Sequence, residues 1–207
     1  FIATFSHQLS HKETPKIEVD ARIPLLYVNE AIKIIIDSIR KRETKDLIQI
    51  EHTSEYKVSE VLELLKGYRK DYIDNGIIPG LKNSFEINLF NTFRCYTDLE
   101  NHNPVKLKLN TDNRGSFVET VKTNLGGQFS FSTTKPGITR GNHFHTRKIE
   151  RFAVIKGKAL IQLRRIGTDK VLNFELNGNE PSYVDMPVWY THNIKNIGEE
   201  ELYTLFW

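Results

Sequence analysis

Two histidines and a glutamate within residues 137–157 constrain this chain more than any other feature. The run reads Gly-Ile-Thr-Arg-Gly-Asn-His-Phe-His-Thr-Arg-Lys-Ile-Glu, followed by Arg-Phe-Ala-Val-Ile-Lys-Gly. On a strand, His143 and His145 are two residues apart, so both rings are expected on the same face. Glu150 follows on the next strand after a short turn, so its carboxylate is expected to meet the two rings.

A third histidine, His192, lies in the run Pro-Val-Trp-Tyr-Thr-His-Asn-Ile-Lys-Asn of residues 187–196. Imidazoles combined with one carboxylate are typical of a first-row metal site, and these ligand types leave zinc, iron, manganese, nickel and copper open. The alternative is a plain barrel that carries exposed histidines and no metal. The predicted metal ligands are His143, His145, Glu150 and His192.

Short runs of alternating polarity surround this motif from about residue 85 onward, and Gly, Asn and Asp separate them. Ten such runs at close spacing predict a barrel or sandwich. They are 105–109, 116–122, 127–133, 143–145, 150–156, 159–165, 171–176, 183–186, 192–195 and 202–206.

The first part of the chain has a helical rhythm instead. Residues 30–43 and 54–70 repeat apolar positions at helical spacing, and 71–79 begin as a helix and end at Gly and Pro. Residues 80–104 form a junction of ambiguous pattern. Short strands are expected at 16–18, 25–28 and 47–50. The chain is therefore predicted to be α+β.

Composition excludes several functional classes. The chain is 39% hydrophobic and 27% charged, and its apolar runs, such as 34–36, are too short for a membrane span. A net charge of +3 is too small for a nucleic-acid binding surface. It suits a site for a small anion such as a nucleotide diphosphate, and a mildly basic surface without a function explains it equally well. The single cysteine, Cys95, fits a reducing cytoplasm. Because the chain opens at Phe1 without a methionine, we expect a fragment of a longer protein.

Residues 137–157 match the first cupin motif, G-x5-H-x-H-x4-E-x6-G, at every fixed position. The second motif, G-x5-P-x-G-x2-H-x3-N, is matched at Pro187, His192 and Asn196. It departs at Pro181 and Trp189, where the family usually has glycine. The resemblance implies a jelly-roll cupin barrel, in which Trp189 and several phenylalanines are expected in the core.

Two further runs, 112–119 and 128–132, resemble the D-x-R-G-x-F-x-E and Q-x-N-x-S segments of the dTDP-dehydrorhamnose epimerases. By that resemblance, the substrate-contact candidates are Arg114, Gln128 and Arg140. The same resemblance makes His143 a proton acceptor, whereas the cupin motif makes it a ligand. A metal-bound imidazole cannot also accept a proton, so with a metal present the base must be another residue.

The run 134–152, with 161–164 after it, resembles the CapF (or WbjC) family of capsular polysaccharide enzymes. Members of that family carry an N-terminal short-chain reductase and a C-terminal zinc cupin. Residues 1–83 are therefore expected to be the C-terminal part of a reductase domain that lacks its nucleotide-binding half. The cupin domain is expected to span 84–207.

The CapF resemblance implies that the cupin epimerises a UDP-2-acetamido-2,6-dideoxy-4-hexulose beside its ketone, and that the complete parent protein then reduces the ketone with NADPH. The Gly-rich loop and Tyr-x3-Lys pair of such reductases do not occur in this chain, so no cofactor-binding residue is expected. The expected metal is zinc, with iron or manganese as alternatives. A homodimer is expected because pairing covers exposed strand edges.

Catalytic candidates for this reaction are Tyr190, two residues before a ligand, and Lys148. Arg164 suits a phosphate, and either it or its neighbour Arg165 must face the barrel interior. The metal either acts as a Lewis acid or holds the fold. Two other functions remain open, an iron cupin oxygenase and a zinc cupin with only a structural or dimerisation role.

Overall fold

The computed structural model describes residues 1–42, 47–148 and 150–207. It divides into two compact units, Phe1–Pro104 and Val105–Trp207, which are described separately. The sequence interpretation places the boundary earlier, between residues 83 and 84. The difference arises because the helix that begins at Ser84 buries Leu89, Phe90 and Phe93 in the core of the first unit.

The first unit is mostly helical. A π-helical turn, Arg69–Asp74, follows the third helix, and β1 pairs with β2 in antiparallel fashion. The strands are β1 (Arg22–Leu25), β2 (Ser54–Lys57) and β3 (Ile77–Ile78). The helices are α1 (Ile2–Ser10), α2 (Val28–Arg40), α3 (Val58–Tyr68), α4 (Ser84–Arg94) and α5 (Leu99–His102).

The predicted helices form, with shifted starts. The second begins only at Val58, because Ser54–Lys57 pairs with β1 and satisfies its backbone groups there. Residues 16–18 and 47–50 are not strands, since a short apolar run needs a pairing partner to become one. Residue 43 of the first predicted helix lies outside the described residues. Among the described helices, none combines the length and apolarity needed to cross a membrane.

The described residues of the second unit form ten strands, close to the ten predicted runs. The first run is displaced, because residues 105–108 are not in a strand, and the strand of the first histidine ends at that histidine. The strands are β4 (Leu109–Asp112), β5 (Gly115–Thr123), β6 (Gln128–Thr134), β7 (Thr139–His143), β8 (Glu150–Lys156), β9 (Lys158–Arg165), β10 (Val171–Asn177), β11 (Ser182–Met186), β12 (Tyr190–Asn196) and β13 (Leu202–Phe206).

These strands form two sheets with an apolar core between them. One sheet has the order β10-β9-β12-β7, and the other runs β11-β8-β13-β6-β5, with β4 paired to β5. Side chains from both sheets meet in the core, including Val154, Ile161, Leu163, Ile194 and Leu202. This arrangement confirms the jelly-roll cupin barrel and the α+β class predicted from the sequence.

Alternation along β6 corrects the expected aromatic core. Ser130 and Ser132 are buried on the inner face, so Phe129 lies on the outer face and is exposed. Trp189 and Phe174 are exposed as well, whereas Phe152 packs against the core. The apolar residues of this unit are therefore divided between its interior and its surface.

The turn before β5 explains one glycine of the run 112–119. Gly115 has φ +146°, a backbone conformation that side chains rarely adopt. A Cβ at this position would collide with the Thr133 carbonyl of β6. The glycine therefore has a structural reason that is independent of any substrate.

Replacing Asn196 by Ala is expected to destabilise the second unit by about 2–4 kcal/mol, because buried backbone groups lose their partners. The fully buried Asn196 side chain donates to the carbonyls of Thr134 and Glu200, both at 2.8 Å, and accepts from the Gly198 amide at 2.9 Å. Urea unfolding in the presence of EDTA measures the change without any contribution from metal. The matched control, Asn110→Ala at an exposed position, is expected to change stability by less than about 0.5 kcal/mol. Equal losses in both variants would contradict this account.

Candidate metal centre

His192 occupies the middle of β12 and points into the barrel. Along this strand His192, Ile194 and Asn196 are buried in alternation, as expected for residues that share the inner face. His192 is 2% exposed and pairs with Leu163 on β9 and His143 on β7. The strand pairing thus brings two of the three histidines side by side.

A β-bulge in β7 sets the direction of His143. The pairing passes from His192–His143 to Asn193–Gly141, so that Asn142 is the extra residue, with φ +63°. Bulges of this kind re-aim a side chain beside a functional site. Gly141, at φ +99°, permits the close approach, because a Cβ there would lie 2.9 Å from the His192 carbonyl.

His145 reaches the same point from a loop, which corrects the prediction that both histidines share one strand. β7 ends at His143, and the chain then turns. The amide of Trp189, just before β12, donates to the His145 carbonyl at 2.9 Å and fixes the loop. A backbone contact between two loops, and not strand alternation, therefore places the second imidazole.

Glu150, the first residue of β8, brings its carboxylate to all three rings. Its Oε2 lies 3.0 Å from the Nε2 of His192, 3.2 Å from that of His145 and 3.9 Å from that of His143. The four potential ligand atoms lie within 4.8 Å of one another. Metal bonds of about 2.0–2.2 Å place two ligands of one ion roughly 3.0–3.5 Å apart, so these separations suit a shared ion.

Protonation states in the cluster also suit a cation. Burial raises the pKa of Glu150, but its contacts with His192 and Lys148 outweigh burial and lower it to about 2. Burial, reinforced by the neighbouring His192, lowers the pKa of His143. An ionised carboxylate beside a neutral imidazole is the state that metal binding requires.

Two nitrogen atoms of the cluster lack a normal partner. The Nε2 of His145 is buried and makes no hydrogen bond. The Nδ1 of His192 lies 3.2 Å from the Tyr190 carbonyl, and a nitrogen can only donate to a carbonyl oxygen. In a neutral His192 the Nε2 then carries a lone pair, which faces the Glu150 carboxylate 3.0 Å away. A metal ion resolves both conflicts, and the residues therefore fit one.

Lys148 engages the other oxygen of the same carboxylate. Its Nζ lies 2.5 Å from the Oε1 of Glu150, while the Oε2 faces the imidazoles. The lysine side chain is 49% exposed, so it joins the buried ligand to the surface. This predicted catalytic residue is thus in direct contact with a predicted ligand.

Tyr190 and the two arginines are arranged by strand alternation. Tyr190 packs partly against the core and lies opposite Arg165, on the same face of the sheet as His192 and Leu163. Arg164 lies on the other face, and its guanidinium donates to the Thr168 carbonyl at 3.4 Å. The structure thereby corrects the expected orientation, since Arg165 and not Arg164 lies on the side of the metal ligands.

The remaining candidates make their contacts elsewhere in the barrel. Arg114 donates from its Nε to Asp112 at 2.9 Å, and this bond helps to hold the pKa of Asp112 at about 2. Arg140 donates to the Thr133 carbonyl at 2.9 Å, and burial lowers its pKa. Gln128 begins β6 opposite Lys122. These three residues are not members of the metal cluster.

Sequence reasoning missed an aromatic pair beside the ligands. Phe144, between two of the histidines, stacks on Trp189 with ring centroids 6.1 Å apart. Trp189 has φ +65°, the left-handed conformation for which the cupin motif carries glycine. The departure from that glycine was the available signal, and it indicated an exposed indole held in a strained turn.

Comparison with known proteins agrees with this architecture. Residues 110–207 match the family described as the polysaccharide biosynthesis C-terminal domain. The chain is 33% identical to the capsular polysaccharide assembling protein CapF from Staphylococcus aureus, with a TM-score of 0.84, covering 100% of this chain and 60% of that one. A structure of CapF with the inhibitor 3-isopropenyl-tropolone gives 32% identity, a TM-score of 0.83 and the same coverage.

A curated relative is the UDP-2-acetamido-2,6-beta-L-arabino-hexul-4-ose reductase of Pseudomonas aeruginosa, 30% identical over 211 residues. The match covers 100% of this chain and 55% of that protein. The chain thus spans little more than half the length of the relatives it matches. Both units take part in these matches, which cover the whole of this chain. The second unit contains the residues that match the polysaccharide biosynthesis C-terminal domain. Residues 110–207 therefore match the polysaccharide biosynthesis C-terminal domain, and the whole chain resembles the part of CapF-type capsular polysaccharide proteins that ends in the cupin domain.

Proposed function

We propose that this chain is part of a sugar-nucleotide-modifying enzyme of capsular polysaccharide assembly, and that its cupin unit epimerises a UDP-2-acetamido-2,6-dideoxy-4-hexulose beside the ketone. The observation that carries the proposal is the cluster of His143, His145, Glu150 and His192, whose potential ligand atoms all lie within 4.8 Å of one another, close enough to share a metal ion. The relative from Pseudomonas aeruginosa is named for a UDP-linked hexul-4-ose, a sugar with such a ketone.

The reaction requires three functions from the site. A base removes the proton on carbon beside the ketone, an acid returns one to the opposite face, and a positive group stabilises the enolate oxygen between these steps. His143, His145, Glu150 and His192 would hold a zinc ion, which would supply a Lewis acid to the site. The base and the acid must come from residues other than the ligands.

Lys148 is the residue best placed to act as the acid, because an ammonium can donate a proton and has no lone pair to accept one. Its ammonium contacts Glu150 and is half exposed, so it reaches both the ligand shell and an incoming substrate. Tyr190, on the His192 face, is the second candidate, and its phenol is expected to point to the same mouth. The substrate-contact candidates Arg114, Gln128 and Arg140 are proposed to contact the sugar or the phosphates of the substrate.

The first unit has a different proposed role. We assign residues 1–83, together with α4, to the C-terminal part of a reductase domain whose complete form reduces the ketone with NADPH. The full-length match to a protein named as a reductase supports this assignment. A homodimer and a cytoplasmic location are further parts of the proposal.

A structural zinc site is the second candidate function. Four protein ligands are the number that closed, structural zinc sites use, whereas catalytic zinc sites keep a position open. The cluster offers four. An iron oxygenase would use the same four ligands. The identity of the metal that the purified protein retains therefore tests that alternative, since iron would favour it and zinc would argue against it.

Purified protein is expected to retain about one zinc ion per chain, and His145→Ala is expected to weaken zinc binding by more than about 100-fold. His145 suits the test because it lies in a loop and not in the barrel core. Elemental analysis and competition with a chelator measure both quantities. His102→Ala, in the first unit, is the matched control and is expected to change neither. Equal zinc binding in both variants would contradict the assigned ligands, and bound iron would favour the oxygenase.

In deuterium oxide, metal-loaded protein is expected to place one deuterium on the carbon beside the ketone of the UDP-hexulose. Mass spectrometry and NMR of the recovered sugar detect the exchange. Removing the metal is expected to slow exchange strongly, because the enolate loses its stabilising charge. An absence of exchange with intact, zinc-loaded protein would reject the epimerase and leave the structural role.

Lys148→Met is expected to lower the exchange rate by about 10²–10⁴-fold if its ammonium transfers the proton. Zinc content must be measured in parallel, because the same lysine also contacts Glu150. Lys158→Met, at an exposed position on β9, is the control. A normal exchange rate in Lys148→Met would transfer the role to Tyr190, and Tyr190→Phe tests that assignment in the same assay.

A further inference from the structure

Phe144 and Trp189 form a stacked and exposed aromatic pair at the edge of the metal cluster. Their rings are inclined by only 26°, and the two residues are 44% and 53% exposed. Phe144 lies between the ligands His143 and His145, and the Trp189 amide is bonded to the His145 carbonyl. A planar apolar surface is therefore fixed directly to the ligand loop.

The Trp189 indole is held by a strained backbone conformation. A bulky residue at φ +65° is strained, and a glycine there would remove the strain. Two hydrogen bonds hold the turn, from the Trp189 amide to His145 and from the Ile166 amide to the Trp189 carbonyl. The strain places a large ring on the surface, where it adds little to the core.

A cation lies close to this pair along the backbone. Arg165 is exposed at the end of β9, and the next residue, Ile166, donates its amide to the Trp189 carbonyl at 3.0 Å. Arginine binds phosphate through a planar fork of donors. An exposed π-face and an arginine linked through one backbone hydrogen bond match a ligand that combines a flat ring with phosphate groups.

The geometry points to the aromatic pair and Arg165 as the binding site for the nucleoside diphosphate of the substrate, with uracil on Trp189 and Phe144 and the diphosphate on Arg165. This inference rests on the proposed function, because the metal ligands then take the ketone end of the same molecule. Every nucleic-acid base has a flat π-face that stacks on aromatic side chains, so stacking depends little on which base is present. Each stack contributes substantially to affinity. A sugar ring alone would not require the arginine.

Calorimetric titration of the full, zinc-loaded chain with UDP tests the inference. Trp189→Gly is expected to weaken UDP binding by about 5- to 100-fold, and its fold is expected to be at least as stable because glycine suits the turn. Inorganic pyrophosphate reports the diphosphate site and its metal contact alone, so its affinity is expected to stay unchanged in Trp189→Gly. Arg165→Gln is expected to weaken UDP and pyrophosphate and to leave uridine binding unchanged.

A second stacked pair in the same unit provides the matched control. Trp207 stacks on Phe129 with centroids 6.3 Å apart, and both are exposed. Trp207→Leu is expected to bind UDP as the wild type does. Equal UDP affinity in wild type and Trp189→Gly would overturn the inference, as would wild-type protein that does not bind UDP. A change of mass by light scattering in Trp189→Gly with unchanged UDP affinity would also overturn it and assign the pair to a contact between copies.

The deuterium exchange assay separates this inference from the proposed function. Exchange in the wild type, combined with an unchanged KM in Trp189→Gly, would keep the epimerase and reject the base-binding site. UDP binding that depends on Trp189, without any deuterium exchange, would keep the base-binding site and reject the epimerase.

Discussion

The contact between the Glu150 carboxylate and three imidazoles is the constraint on which the cupin unit depends. One buried oxygen approaches nitrogen atoms that come from the end of β7, from the following loop and from the middle of β12. Burying a carboxylate is costly unless partners stabilise it. Lys148 and the histidines provide these partners, and a bound cation would complete them.

Backbone irregularities concentrate around that contact. The bulge at Asn142, the close approach at Gly141 and the left-handed Trp189 all lie within a few residues of a ligand. Strained conformations persist where the surrounding structure fixes them, and they are common at functional sites. Here the regular sheets supply the rigid frame, while the irregular positions aim the ligands and place the aromatic pair at the surface.

The sequence predicted the four clustered residues from the spacing of two motifs, and most of the ten strands from the alternation of polarity along each run. It did not predict that His145 lies in a loop, since hydrogen bonding between distant loops leaves no local pattern. The sequence could not show whether Arg164 or Arg165 faces the metal ligands, because strand alternation allows either one. Only the pairing of β9 with β12 decides between them. The helix α4 was assigned to the wrong unit because its burial depends on tertiary packing with α1 and α3.

Anomalous diffraction from crystals of the zinc-loaded chain tests the central claim most directly. The account predicts one strong zinc peak, about 2.0–2.2 Å from the Nε2 atoms of the three histidines and from the Oε2 of Glu150. A zinc peak elsewhere would contradict the account. So would crystals in which Glu150 and His192 remain directly hydrogen-bonded with no zinc between them.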